Sequence, residues 1–116
     1  MDGKRENDYF APLVVAPKYQ GKYDEAEFNL ATGQTNYNVK VNESDAFVNV
    51  ARAHSVIIRT NYTITVRFNS TSYPAITIAR SEGVLAIGRE HGLEVTNIFI
   101  SNASGSTAAI KIMLIE

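Results

Sequence analysis

The sequence predicts an all-β fold, an antiparallel β-sandwich of jelly-roll-like type preceded by an extended N-terminal arm. Three observations predict it. Apolar residues alternate with polar ones along most of the chain after Asp24, the period of a half-buried strand. β-Branched residues crowd every apolar run, and no segment carries a sustained i, i+3, i+4 stripe. Turn residues recur at roughly 8 to 12 residue spacing, as in antiparallel sandwiches and barrels. The 116 residues fit one domain of the usual size, about 100 to 150 residues, divided into an arm over 1–23 and a sandwich over 24–116.

The arm holds Pro12, Pro17 and Gly21 among Tyr9, Phe10, Leu13, Val14, Val15 and Tyr19. It is too apolar for a free linker and too interrupted by proline for a helix or a central strand. Tyr9, Phe10, Leu13, Val14 and Val15 are therefore the candidate partner-binding residues. Such a segment must pack on something, either a neighbouring subunit or its own sheet edge.

Ala26, Phe28 and Leu30 alternate with Glu25, Glu27 and Asn29, and Ala31 to Gln34 supplies a glycine-bearing turn. Tyr37, Val39 and Val41 alternate on the return, so the pair reads as a hairpin. Phe47, Val48 and Val50 fit a short strand, or a helical turn over 45–53 capped by Ser44 or Asp45. Val56 to Thr60 is a longer strand. Tyr62, Ile64, Val66 and Phe68 against Thr63, Thr65 and Arg67 give the cleanest alternation. Asn69 to Pro74 is a loop by turn chemistry, and Ala75 to Ile78 starts a strand with Ile76 and Ile78 on one face. Val84 to Ile87, Val95 to Ile100 and Ala108 to Ile115 complete eight or nine strands, separated by loops over 88–92 and 101–106.

Composition excludes several functions. The chain has no cysteine, which removes disulfides, thiolate metal sites and a cysteine nucleophile. With 11 basic and 12 acidic side chains, for a net charge of −1, there is no basic footprint for nucleic acid or anionic lipid. No apolar run approaches the ~18 residues of a membrane span. Met1 to Asp8 lacks the basic-then-apolar pattern of a cleaved signal peptide. The expectation is a protein with no nucleic-acid partner and no membrane partner.

Candidate chemistry is thin. His54 and His91 stand alone, and Arg89-Glu90-His91-Gly92 reads as a solvated hairpin loop rather than a ligand set. Asp24, Glu25 and Glu27 form the one dense acidic cluster. Glu25 and Glu27 share the wet face of a strand, and nothing in the pattern buries a carboxylate to split a catalytic pair. Ser104-Gly105-Ser106 is a turn without the strand-to-helix setting of a nucleophile elbow. Neither a Gly-x-Gly-x-x-Gly nor a P-loop occurs. Sequons at Asn42, Asn61, Asn69 and Asn102 suit a turn-rich chain. The expectation is no enzyme, no cofactor, no metal and no catalytic residue.

The run Ile64-Thr65-Val66-Arg67-Phe68-Asn69-Ser70-Thr71-Ser72, then Ala75-Ile76-Thr77-Ile78, then Leu93 to Ser106 and Ala109-Ile110-Lys111-Ile112 resembles the β-rich segments of small bacteriophage virion proteins that decorate capsids or attach to heads, tails and fibres. The resemblance covers residues 55–116. It implies a non-enzymatic virion structural protein, made in the host cytoplasm, that works by self-assembly as a homo-oligomer, preferentially a homotrimer, and by contact with other virion proteins. Two other readings stand beside it. One is a small binding module for glycan, using the Tyr73 loop or the Gly88–Gly92 loop, which needs an exposed tyrosine pair in a concave patch. The other is a cupin-like enzyme, which needs His54 and His91 to meet near a glutamate.

Overall fold

The computed structural model describes residues 22–116. The arm residues singled out above, Tyr9, Phe10, Leu13, Val14 and Val15, lie outside the described residues. Eight strands follow one another: β1 (Tyr23–Leu30), β2 (Gln34–Asn38), β3 (Ser55–Thr60), β4 (Ile64–Phe68), β5 (Ile76–Ile78), β6 (Val84–Ile87), β7 (Ile98–Asn102) and β8 (Ala108–Ile115). A one-turn helix, α1 (Val39–Asn42), follows β2, and Arg89–His91 form a 3₁₀ turn.

Two four-stranded sheets result, in the orders β1-β8-β3-β6 and β2-β7-β4-β5. All pairings within them are antiparallel. Among the described residues, only β4 and β5 are consecutive strands in the same sheet; every other connection crosses between the two layers. This interleaving is the jelly-roll arrangement of two Greek keys. The inner faces meet over branched aliphatic side chains, with Ile58, Ile112 and Leu114 of one sheet and Ile64, Val66 and Ile100 of the other almost wholly buried.

Period-2 patterning sets which side chains face inward, and the observed strands obey it. In β8, Ala108, Ile110, Ile112 and Leu114 are buried while Ala109 and Lys111 are exposed. In β4, Ile64, Val66 and Phe68 are buried and Thr65 and Arg67 are only partly so. At about 25 cal/mol per Å² of apolar surface removed from water, this aliphatic layer is the main stabilising term.

The hairpin expected over residues 26–41 is not formed. β1 pairs with β8 and β2 pairs with β7, so the two segments belong to different sheets. Alternation on either side of a glycine turn is the same for a hairpin and for a corner between layers. Here Gly33 at φ +91° turns the corner, and its N–H donates to the Asn102 carbonyl at 2.7 Å. β2 is further deflected by an irregularity between Gln34 and Tyr37, where Asn36 takes φ +51°.

The return strand also stops early. Asn38 caps α1 by accepting from the Val41 N–H, which leaves Val39 buried and Val41 71% exposed. No strand forms around Phe47 to Val50; the segment is a chain of turns and bends, with Phe47 at φ +66°. β4 begins at Ile64 rather than Tyr62. β7 begins at Ile98, while Val95 makes an isolated bridge to Ala53. The Gly88–Gly92 loop is not a hairpin, because β6 and β7 lie in opposite sheets. Tyr23 belongs to β1, one residue earlier than the domain boundary read from sequence.

Candidate functional site

Asp24 departs most from the sequence reading. It points inward from β1 and is only 5% exposed, whereas Glu25 and Glu27 lie on the outer face as expected. A buried carboxylate needs hydrogen-bond donors. Its oxygens accept from the Asn49 N–H, the Asn49 Nδ2 and the Val50 N–H at 2.8–3.1 Å. These bonds fasten the irregular 43–54 segment to the first strand, and they occupy the carboxylate structurally.

Asparagines fasten the other loops. Asn102 is 1% exposed; its Nδ2 donates to the carbonyls of Leu30 and Ser106, and its Oδ1 accepts from the Ser104 N–H. The β1–β2 corner and the β7–β8 turn are thereby joined, with Gly105 N–H donating to Thr32 Oγ1. Asn69, at φ +72°, donates to the Glu94 carbonyl and accepts from the Thr96 N–H and hydroxyl. Asn61 Oδ1 accepts from Ala109 N–H. Sequence reading found these asparagines as turn formers and sequons; their pairing across ~25 to 70 residues had no local signal.

The histidines do not converge. His54 Nε2 lies 3.4 Å from Glu94, which Arg52 also approaches at 3.7 Å. His54 Nδ1 is buried with no hydrogen-bond partner among the described residues. His91 sits in the Gly88–Gly92 loop, where Nδ1 accepts from the Gly88 N–H and lies 3.8 Å from Glu90. Among the described residues, no three His, Asp or Glu side chains are grouped to hold a metal ion. Tyr73 is 55% exposed on the β4–β5 loop, but the other strongly exposed tyrosine among the described residues, Tyr23, belongs to the opposite sheet, so the two make no shared platform.

Among the described residues the surface has several open depressions. One of about 330 Å³ is lined by Glu25, Glu27, Glu43 and Asp45 with Lys111. Lys111 pairs with Glu25 at 3.7 Å, both about half exposed, a geometry that contributes little. Beside it, Tyr37 donates to Glu43. Burial first, then the Glu43 hydrogen bond and charge, push the Tyr37 phenol up to about 12.

The outer faces of the two sheets differ. On the β2-β7-β4-β5 sheet, Thr65 stands between Ser101 and Thr77, and Arg67 bonds to Asn36 and to the Tyr73 carbonyl. On the other sheet, cross-strand register lines up Glu25, Met113, Ile57 and Ala86, beside Tyr23 and Ile115. Ile57 and Met113 are half-buried in that row, which Glu25 flanks on one side.

No protein-family model matches the chain, and no curated protein matches it either. The fold and surfaces define a jelly-roll β-sandwich. Among the described residues, no helix is long and apolar enough to cross a membrane.

Proposed function

We propose that the chain is a non-enzymatic structural protein of a virion, a capsid decoration or head/tail accessory component, that acts by self-assembly and surface contact. The observation that supports this reading best is the interior. The space between the sheets, where related architectures can hold a ligand, is filled by aliphatic side chains such as Ile58, Ile98, Ile100 and Ile112, so the outer surfaces are the working parts. The apolar block Tyr9, Phe10, Leu13, Val14 and Val15 supplies adhesion to another copy, with a homotrimer as the preferred assembly, and the loops contact other virion proteins. Near-neutral charge suits contacts with protein rather than with nucleic acid.

The test is the solution mass of the full chain by light scattering, beside a full-length variant with Phe10→Ser, Leu13→Ser and Val15→Ser. The parent is expected at about three times its 12.8 kDa chain mass, and the variant as a folded monomer. An unchanged mass in the variant contradicts the role of the arm. A second reading, a glycan-binding module, is favoured by the exposure of Tyr73; saturable binding on a glycan array, lost in Tyr73→Ala, would bring it forward.

A further inference from the structure

Among the described residues each sheet ends in two edge strands, β1 and β6 in one and β2 and β5 in the other. The outer main-chain groups of an edge can bond to another chain unless something prevents it. Three of these four edges carry such a device. Glu25 and Glu27 stand along β1, and the 43–54 segment is clamped beside it through Asp24. β2 is broken by its irregularity and by Asn36 at φ +51°. β5 has only three residues and closely follows Pro74. The fourth edge, β6, is Val84-Leu85-Ala86-Ile87, with no charge, no proline and an unbroken register against β3.

The ladder fixes which groups β6 turns outward. The Thr60 N–H donates to the Gly83 carbonyl at 2.9 Å, and antiparallel bonds recur at every second residue. Leu85 and Ile87 therefore bond to Ile58 and Val56 of β3. Val84 and Ala86 point their N–H and C=O away from β3, and no described residue bonds to them. The row stops at Gly88, whose N–H and carbonyl both bond to His91. Donors and acceptors on two alternate residues are self-complementary. A two-fold axis at Leu85 sets Val84 against Ala86 of a second copy and pairs every outward group.

The side chains agree with that register. Val84 is 43% exposed. Leu85 and Ile87 face the core, opposite buried Ile58 and Val56, yet are only half-buried at this rim. Charge is complementary as well. Exposed Arg80 and Glu82 precede β6, and exposed Arg89 and Glu90 follow it, so an antiparallel approach brings Arg80 toward Glu90, and Glu82 toward Arg89, of the second copy.

We propose that β6 is a homotypic pairing edge, through which two copies join about a two-fold axis at Leu85 into one continuous eight-stranded sheet. This goes beyond the assembly reading above, because every residue in the contact is described and none belongs to the arm. Two four-residue strands make less than a standard interface of about 1,600 Å², so the pairing is weak and concentration-dependent.

Disulfide trapping in the full chain, which has no cysteine of its own, tests it. At the axis Leu85 meets its own copy in a pair without main-chain bonds, where Cβ atoms approach to about 4.5–5.5 Å, near enough for a disulfide to close. Under mild oxidation at high protein concentration, Leu85→Cys is expected to form a covalent dimer at least about tenfold faster than Thr77→Cys, an exposed position on the other sheet. Adding Val84→Lys and Ala86→Lys, which set like charges across the pair, is expected to remove that advantage, and Val84→Lys with Ala86→Glu to restore it, each with parental circular dichroism. The advantage is also expected in the Phe10→Ser, Leu13→Ser, Val15→Ser background, so edge and arm are read separately. A Leu85→Cys rate no higher than that of Thr77→Cys, or one unchanged by the two lysines, would overturn the pairing edge, and a trimeric parent mass would then leave the assembly reading standing.

Discussion

Asp24 carries more of the structure than any other ionisable side chain described. It accepts from two backbone amides and one side-chain amide of the 43–54 segment while almost completely buried. Asp24→Ala leaves those donors unpaired, and the expected loss is about 3 kcal/mol in urea denaturation; a loss below about 1 kcal/mol would contradict the clamp. Asn102→Ala is expected to cost about 2–3 kcal/mol by the same measurement, because it unpairs the Leu30 carbonyl at the β1–β2 corner and the Ser104 amide in the β7–β8 turn and removes one of the two donors to the Ser106 carbonyl. Tyr37 gives a pH signature. Its phenol titrates at about 10 in the unfolded chain and is raised to about 12 in the fold. Below pH 10 both states hold the proton and the contribution is complete. As pH rises from 10 toward 12 the unfolded chain releases its proton first, so stability falls. Tyr37→Phe is expected to flatten that alkaline loss in thermal melts, and an unchanged slope would count against the Tyr37–Glu43 contact.

Individual strands are written locally, and their partners are not. The runs ending at Thr60, Phe68, Ile87 and Ile115 could be read from their branched apolar content, most cleanly where apolar and polar positions alternate, as in Ile64, Val66 and Phe68 against Thr65 and Arg67. Pairing across the layers depends on contacts far apart in sequence, such as β1 with β8. The corner at Gly33 therefore looked like a hairpin. The 43–54 segment was ambiguous because Phe47 and Val50 are buried without regular structure, held by Asp24 from outside the segment. The candidate surface was likewise hidden. Ile57, Met113 and Ala86 come together only through register, and the arm residues, an apolar, proline-broken block in the sequence, lie outside the described residues. A core test belongs at this scale: Ile58→Ala, in a fully buried position of β3, is expected to cost about 2–5 kcal/mol. A cost under 1 kcal/mol would contradict the tight packing of the layers.

At the scale of the whole molecule, the jelly roll joins two layers through six crossing connections, so neither sheet persists without the other. Such a body is stiff, and its filled interior leaves contacts with other molecules to loops, outer faces and the arm. In the proposed self-assembly, a closed ring satisfies every copy. The most direct measurement is sedimentation equilibrium of the intact chain across a wide micromolar concentration range. A trimer or larger closed assembly that dissociates on dilution is the expected result, and a monomer at every concentration would contradict self-assembly as the function of this protein.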